Sequence, residues 1–170
     1  MAEPSRATLL VEAFANTIDV EEATDALSDL AGLRSWLSDH GLPSDVDERD
    51  FHQARLLRAG LRERLLANNG EEPDERVLAE AERVLDYLPL TVSLSVETPL
   101  AAEGPLAIIA AAWATTAATG EWQRLKRCPN HACAWVFWDG TRSRTRRWCS
   151  MRVCGNRAKV RAHAERRRTT

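Results

Sequence analysis

Four cysteines constrain the fold of this 170-residue chain more than any other feature of its sequence. They lie in the last third with the spacing Cys-x4-Cys-x15-Cys-x4-Cys, at positions Cys128, Cys133, Cys149 and Cys154. Two close pairs about 15 residues apart are typical of a zinc site to which each pair supplies two thiolate ligands. The short spacing within a pair brings both sulfurs to one side of the ion at little entropic cost. We therefore predict one structural zinc ion, because four thiolates leave no coordination position open for water.

Disulfide bonds are the alternative use of these cysteines. Residues 1–20 lack the basic start and apolar stretch of a secretory signal, and the longest apolar run, from Leu106 to Ala114, is far shorter than the ~20 residues of a membrane helix. We therefore expect a cytoplasmic protein with no membrane partner, and a reducing cytoplasm disfavours disulfides. His131 could replace one cysteine as a ligand, but four cysteines leave it no necessary role.

Charge divides the chain near Gly120. Residues 1–120 (the acidic part) hold nine Lys and Arg against 22 Asp and Glu, whereas residues 121–170 (the basic part) hold 14 against three. A division this steep indicates two parts with different partners. All four cysteines lie in the basic part, so we predict an acidic domain over 1–120 and a basic zinc finger over 121–170.

The acidic part has the apolar periodicity of helices. Stripes with 3–4 spacing predict a helix near the amino terminus, one over 29–39 capped by Ser28, one over 47–68 and one from Pro73 onward. Residues 91–97 alternate with period two and predict a strand, for which only the stretch 14–20 offers a partner. Pro105 begins a helix over 106–119 that is apolar almost all round and should lie at the centre of the domain.

Motifs of catalysis do not occur in the acidic part. It has no glycine-rich phosphate loop, no His-Glu-x-x-His and no Gly-x-Ser-x-Gly. His40 falls at a helix end and His52 on the outer side of a helix, where structural roles are the usual ones. We therefore predict that the chain is not an enzyme.

The segment between the cysteine pairs predicts a β-hairpin. Residues 134–138 are prone to form a strand, Asp139-Gly140 marks a turn, and Arg147-Trp148 leads back to the second pair. About 30 residues cannot bury enough apolar area alone, so the ion must hold this segment folded. Aromatic side chains are expected to form a small core beside the metal: Trp135, Phe137, Trp138 and Trp148.

Basic residues after the second pair predict a DNA-binding helix. The sequence from Asn156 onward is rich in Ala and Arg, favours a helix and is anchored at its first turn by the predicted zinc site. Such a helix can meet phosphates or enter a major groove. The predicted nucleic-acid contacts are Arg142, Arg144 and Arg146 in the turn before the second pair and Asn156, Arg157, Lys159, Arg161 and Arg168 in the helix.

Two sequence segments resemble known families. Arg147-Trp-Cys-Ser-Met151, followed by Cys154-Gly-Asn-Arg157 and Lys159, resembles the carboxy-terminal module of CGNR-type zinc-finger proteins, over about 125–168. Leu10-Val-Glu-Ala-Phe14, then Asn16-Thr17, is similar to the opening of the ABATE-type domain that commonly precedes such fingers. These are bacterial proteins regarded as transcriptional regulators. The resemblance implies a sensor-like domain joined to a DNA-binding finger, with the four cysteines as metal ligands.

The sequence thus predicts a mainly α fold with minor β structure: a helical domain with a short strand pair, followed by a four-cysteine finger made of a β-hairpin and a basic helix. Its predicted function is that of a zinc-dependent DNA-binding transcriptional regulator, cytoplasmic and associated with the nucleoid. A small-molecule effector at the acidic domain and a homodimer are the further partners expected. The alternative is a protein-interaction or RNA-binding zinc finger with no direct role on DNA.

Overall fold

A computed structural model of the chain describes residues 3–94 and 100–168. The helices within these ranges are α1 (Arg6–Ala15), α2 (Leu30–Asp39), α3 (Glu48–Ala67), α4 (Glu75–Leu85), α5 (Pro105–Ala118) and α6 (Asn156–Arg168). Three antiparallel pairs join the strands β1 (Ile18–Asp19) and β2 (Thr24–Asp25), β3 (Leu90–Val92) and β4 (Leu100–Ala102), and β5 (Leu125–Arg127) and β6 (Val136–Trp138). The predicted mainly α class with minor β structure is confirmed.

Aspartate side chains set the starts of three helices. Asp29, rather than Ser28, caps α2, and its carboxylate accepts from the backbone N–H of Gly32 at 2.7 Å. Asp47 and Asp50 form a reciprocal capping box at the start of α3, and Asp74 caps α4. These local interactions explain why the helix starts could be located from sequence to within a residue or two.

The main core lies between α1, α2, α3 and α5. Phe14, Leu37, Leu57 and Ile109 are among its fully or almost fully buried residues. The apolar helix α5 contributes to this core and packs along α1, in agreement with its predicted central position. On the other side, α3 and α4 approach closely at Gly60, where a Cβ would lie 2.1 Å from the Cβ of Ala81.

Pairing of the predicted strand differs from the expectation. Leu90–Val92 pairs with Leu100–Ala102, a segment close in sequence, and not with the stretch 14–20. Residues 18–19 of that stretch pair instead with 24–25 across a short turn. The predicted strand extends to Glu97, whereas β3 ends at Val92 and residues 93–94 are not in a strand. Residues 95–99 lie outside the described residues.

The β5–β6 hairpin of the basic part packs into the acidic part. Leu125 and Val136 are fully buried in a second cluster with Val11, Ala15, Leu65 and Ala112. The Asn16 side chain donates to the carbonyl of Val136 and accepts from its N–H, both at 2.8 Å, as a neighbouring strand would. The division near Gly120 stays a prediction, and the two parts meet through a shared apolar cluster.

Candidate metal centre

The first cysteine pair lies in the loop of the β5–β6 hairpin. Cys128 directly follows β5, and its backbone N–H donates to the carbonyl of Trp135 at 2.8 Å. The N–H groups of Cys133 and Ala134 both donate to the carbonyl of Asn130 at 2.8 Å, which closes residues 128–134 (the first cysteine loop) into a tight turn. The expected hairpin between the two pairs is therefore wrong in its position. β6 pairs with residues before Cys128 because Leu125 is buried beside Val136 in the shared cluster.

Cys149 of the second pair precedes one turn of π-helix that leads straight into α6, and Cys154 lies within that turn. This turn spans Met151–Gly155, and the hydroxyl of Ser150 caps it by accepting from the N–H of Val153. Gly155 is buried there, and a Cβ on it would lie 3.1 Å from the Met151 sulfur and 3.4 Å from the Trp148 ring. The glycine therefore permits a crowded turn beside the sulfurs.

The four sulfur atoms converge on one point. All lie within 4.8 Å of one another, with 3.4 Å between the sulfurs of Cys133 and Cys149 and 3.7 Å between those of Cys149 and Cys154. A tetrahedral ion with Zn–S bonds of ~2.3 Å places its sulfurs about 3.8 Å apart, whereas a disulfide needs about 2.05 Å. All four cysteines are free thiols. The geometry fits a single structural zinc ion held by the cluster of four cysteines.

Electrostatics of the thiols also favour a cation. Burial raises the pKa of Cys133 to about 11 and that of Cys149 still further. Burial would also raise the pKa of Cys154, but hydrogen bonds from the Asn130 amide and neighbouring thiols lower it overall. Thiolates this close repel one another, so a divalent ion is what allows all four to ionise together.

Aromatic residues near the sulfurs only partly match the expected core. Phe137 is buried in the cysteine cluster and Trp148 packs against it. Trp138 packs instead against the shared cluster in the acidic part, and Trp135 is exposed. The reason is strand alternation, which sends Phe137 to the metal side of β6 and its neighbour Trp138 to the other side.

A buried ion pair organises residues 139–147 (the basic loop). The Lys126 ammonium lies 2.8 Å from the Asp139 carboxylate and also donates to the carbonyls of Arg144 and Arg146, at 2.6 and 3.0 Å. Asp139 accepts in turn from Thr141 and from the N–H of Arg146. The two charges therefore shape the loop that carries three of the predicted nucleic-acid contacts.

Those three basic residues have different environments. Arg142 and Arg144 are exposed, and Arg144 donates to the side chain of Gln123 at 2.7 Å. Arg146 is half-buried: its guanidinium donates to the carbonyls of Trp148 and Cys149 and lies 4.8 Å from the ring centre of Phe137. Arg146 thus supports the second cysteine pair, a structural role that sequence reasoning missed.

The predicted contacts in α6 lie on an exposed helix. Every side chain of α6 is exposed except Ala158, which is half-buried, so Asn156, Lys159 and Arg168 face solvent. Arg157 pairs with Glu21 of the acidic part at 2.8 Å. Arg161 donates to the side-chain oxygen of Asn130, whose amide lies 3.6 Å from the Cys154 sulfur. The helix is thus linked to the metal ligands through Asn130, a residue without any sequence signal.

His131 is exposed and does not belong to the cluster, whose members among the described residues are the four cysteines. The Nδ1–H of His40 donates to the carbonyl of Trp36, 2.7 Å away, at the end of α2, and His52 is exposed on α3, as expected for both. Within residues 3–94 and 100–168, no helix combines the length and apolarity needed to span a bilayer.

Comparison with known families gives two matches that together cover most of the chain. Residues 10–124 match the family model ABATE, described as "Putative stress-induced transcription regulator". Residues 124–167 match the family model described as "CGNR zinc finger". No curated protein matches the chain. The two matches confirm the resemblances stated from the sequence.

Proposed function

Because the chain belongs to the ABATE family and ends in a CGNR zinc finger, we propose that it is a non-catalytic transcription regulator whose finger binds DNA and whose acidic part senses a small molecule. The observation that carries this proposal is the exposure of α6, a basic helix that begins at the zinc ligands. Such binding would associate the protein with the nucleoid.

The dimensions and charge of α6 suit a DNA groove. Its 13 residues span about 20 Å, and a B-DNA major groove about 12 Å wide admits one helix. Lys159, Arg161 and Arg168 offer cations along it, while the basic loop beside the second pair offers Arg142 and Arg144. Phosphate contacts carry no sequence information, so the amide of Asn156 is the better candidate for a base contact.

The first test is the salt dependence of DNA binding by the zinc-loaded chain. A labelled duplex of arbitrary sequence suffices, because phosphate contacts are independent of sequence. Between about 50 and 200 mM salt, log K should fall with a slope of about −0.9 for each phosphate neutralised. The double variant Lys159→Gln, Arg168→Gln should lower the slope's magnitude by about 2, as measured by fluorescence anisotropy.

Matched controls make this test specific. Arg64→Gln removes an exposed arginine from α3 and should leave the slope unchanged. Binding to single-stranded RNA in preference to the duplex would favour the RNA alternative. Absent or salt-independent binding would favour the protein-interaction alternative, which gains support from the ion pairs that already join the two parts through Arg127–Glu63, Arg147–Glu71 and Arg157–Glu21.

The ion pair between Glu21 and Arg157 predicts a mild restraint on DNA binding. It occupies the Arg157 guanidinium and places a carboxylate next to α6. Glu21→Gln should therefore strengthen duplex binding by up to about fivefold, since an exposed ion pair is worth ~1 kcal/mol or less. The exposed neighbour Glu22 does not pair with Arg157, so Glu22→Gln should have a smaller effect in the same anisotropy assay. Equal effects of the two variants would assign the change to net charge alone.

A homodimer fits the same proposal. One small finger has little contact area for a specific DNA site, and two fingers related by a twofold axis would double it. Sedimentation of the zinc-loaded chain, with and without duplex, would determine the stoichiometry.

A further inference from the structure

A pocket of about 610 Å³ opens where the acidic part meets the first cysteine loop. Its wall is built from α3, from the β1–β2 hairpin, from Val77 of α4 and from residues of the finger. This volume lies within the range of small-molecule sites. The pocket is separate from the metal cluster and from the exposed surface of α6.

Arginines dominate the charge of this pocket. Its lining includes Arg55, Arg58, Arg62 and Arg127 but only one carboxylate, that of Glu63. Behind the wall, Asp25 binds Arg58 through two hydrogen bonds of 2.5 and 2.9 Å. Four guanidinium groups thus face two carboxylates, which leaves two positive charges in excess.

Arg62 is the most unusual of these residues. It is 7% exposed, and its guanidinium donates to two backbone carbonyls, those of Ala15 at 2.6 Å and Ala134 at 2.9 Å. Among the described residues, no carboxylate lies within ion-pair distance of it. Burial, together with repulsion from Arg127 and Arg58, lowers the pKa of Arg62 to about 10. A nearly buried cation without a counter-ion is stabilised by an anion brought from outside.

Arg127 adds an unsatisfied donor to the same wall. One of its terminal nitrogens binds Glu63, but its Nε is buried without a hydrogen-bond partner among the described residues. Buried donors almost always have a partner, so an exception beside a pocket needs an explanation. An oxygen of a bound ligand would supply the missing acceptor once the Arg127 side chain turns its Nε toward the pocket.

Apart from His52 and His131, the remaining wall of the pocket is apolar. Ile18, Val20, Leu56 and Val77 line it together with two alanines. A fully hydrated inorganic ion would gain nothing from these side chains, whereas a ligand with a hydrocarbon or aromatic body would bury its apolar surface against them.

We propose that this arginine pocket binds a small organic anion, with a carboxylate or phosphate head beside Arg62 and Arg127 and an apolar body against Val20, Leu56 and Val77. The proposal deepens the sensing role given above and rests on it. A ligand in this pocket would contact both parts, because Arg127, His131 and Ala134 belong to β5 and the first cysteine loop.

The same wall connects the pocket to the proposed DNA-binding surface. Arg62 holds the carbonyl of Ala134, which is adjacent to the metal ligand Cys133. Val20, another lining residue, precedes Glu21, the partner of Arg157 in α6. A ligand that displaces Arg62 would weaken its hydrogen bond to the first cysteine loop. A ligand that moves Val20 would shift Glu21 and free Arg157 for DNA.

Calorimetry on the full zinc-loaded chain tests the pocket directly. The probes are benzoate, phenyl phosphate and the neutral benzamide, which share an aromatic body and differ in the head. We expect saturable binding of one anion per chain and much weaker binding of benzamide. The stronger of the two anions identifies the head group. Equal heats for all three probes, or no binding of either anion, would overturn the proposal.

Substitutions inside and outside the pocket test whether the anion binds there. Arg62→Met should weaken anion binding by about tenfold or more, as expected for loss of a charge-assisted contact. Because Arg62 also supports two backbone carbonyls, the exposed Arg55→Gln provides a variant with less risk to folding and should weaken binding by about threefold. Arg64→Gln, on the same helix but outside the pocket, should bind as the parent does. Equal loss in Arg55→Gln and Arg64→Gln would contradict the assignment.

Failure of this inference is distinguishable from failure of the proposed function. Anion binding is measured without DNA, and duplex binding is measured without the anion. A chain that binds duplex but neither anion refutes only the pocket, whereas a chain that binds anions but no duplex refutes the DNA-binding role. If the chain binds both, its affinity for the duplex should change when benzoate or phenyl phosphate is saturating. An unchanged affinity would show that the pocket binds anions but does not carry the sensing role.

Discussion

Replacing Cys133 with serine is expected to reduce the bound zinc of the full chain from one ion to none and, on the proposed function, to abolish duplex binding. A serine hydroxyl stays protonated at neutral pH and is a poor replacement for a thiolate ligand. Structural zinc contributes about 10–16 kcal/mol of apparent binding energy to small fingers, so its loss should unfold whatever depends on it. Metal content of the purified variant measures the first effect.

The part of the chain that unfolds should be limited. α6 has no buried side chain, and an isolated helix of 13 residues is marginal in water, so α6 should lose its helical structure with the ion. The β5–β6 hairpin should persist, because Leu125 and Val136 are buried in the shared cluster and Asn16 binds the backbone of β6. Far-ultraviolet circular dichroism should therefore show a small loss of helical signal and not a collapse.

His131→Ala is the matched control for this prediction. His131 lies between Cys128 and Cys133 but is exposed and outside the sulfur cluster, so the variant should keep its zinc. Retention of zinc by Cys133→Ser, or its loss from His131→Ala, would contradict the ligand set. Loss of the whole helical signal in Cys133→Ser would show instead that the acidic part also depends on the ion.

Replacing Asp139 with alanine is expected to destabilise the zinc-loaded chain by about 3–5 kcal/mol. The substitution leaves the Lys126 ammonium buried without its counter-ion and frees the basic loop from the carboxylate that holds Thr141 and Arg146. For a chain of this size each kcal/mol lowers the melting temperature by about 2–4 °C. Thermal unfolding followed by circular dichroism therefore resolves the effect.

The exposed ion pair between Arg147 and Glu71 provides the comparison. Its side chains are 53% and 40% exposed, so Glu71→Gln should cost ~1 kcal/mol or less. Similar losses of stability in Asp139→Ala and Glu71→Gln would show that burial does not increase the contribution of the Lys126–Asp139 pair to stability.

The same pair predicts how stability changes in acid. Burial alone would raise the pKa of Asp139, but the hydrogen bonds from Lys126 and Thr141 outweigh it and lower the pKa below its ordinary value. A carboxyl whose pKa is lower in the folded chain binds fewer protons there, so its stabilisation is complete above the unfolded pKa of ~3.9. It is lost as the pH falls through the lowered folded value. The difference in the free energy of unfolding between the parent and Asp139→Ala should therefore become smaller as the pH falls below about 3.9.

Local signals account for most of what could be predicted about the fold. The starts of α3 and α4 follow from Asp47 and Asp74, whose side chains interact within one helical turn. The predicted cap of α2, Ser28, lies one residue before the observed cap, Asp29. Ser and Asp are both good caps, and only the backbone geometry selects Asp29. Alternation predicts a strand over 91–97, which overlaps β3 (Leu90–Val92) at two residues. Its partner, Leu100–Ala102, is only three residues long and has no alternating pattern to reveal it.

In the candidate site, too, features set by nearby residues could be predicted, whereas features set by distant residues could not. Cysteine spacing identified all four ligands, because a tetrahedral ion imposes its requirement on residues close in sequence. The hairpin was misplaced, because its position depends on Leu125 packing against residues more than 50 positions away and on the distant side chain of Asn16. Arg62 and Glu21 were missed for a related reason, since their roles depend on contacts with residues of the other part. Asn130 was missed because its partners, Arg161 and Cys154, lie more than 20 positions away along the chain.

The sequence by itself determined that this chain binds one zinc ion through four cysteines, that it is mainly helical and that its charges divide near Gly120, because each of these properties is set by residue type and short spacing. Only the tertiary structure decided how the two parts meet, which arginines are buried at their junction and which remain exposed on α6. The physical reason is that desolvation and pairing of a charge depend on every group around it, and those groups are brought together by packing between distant segments.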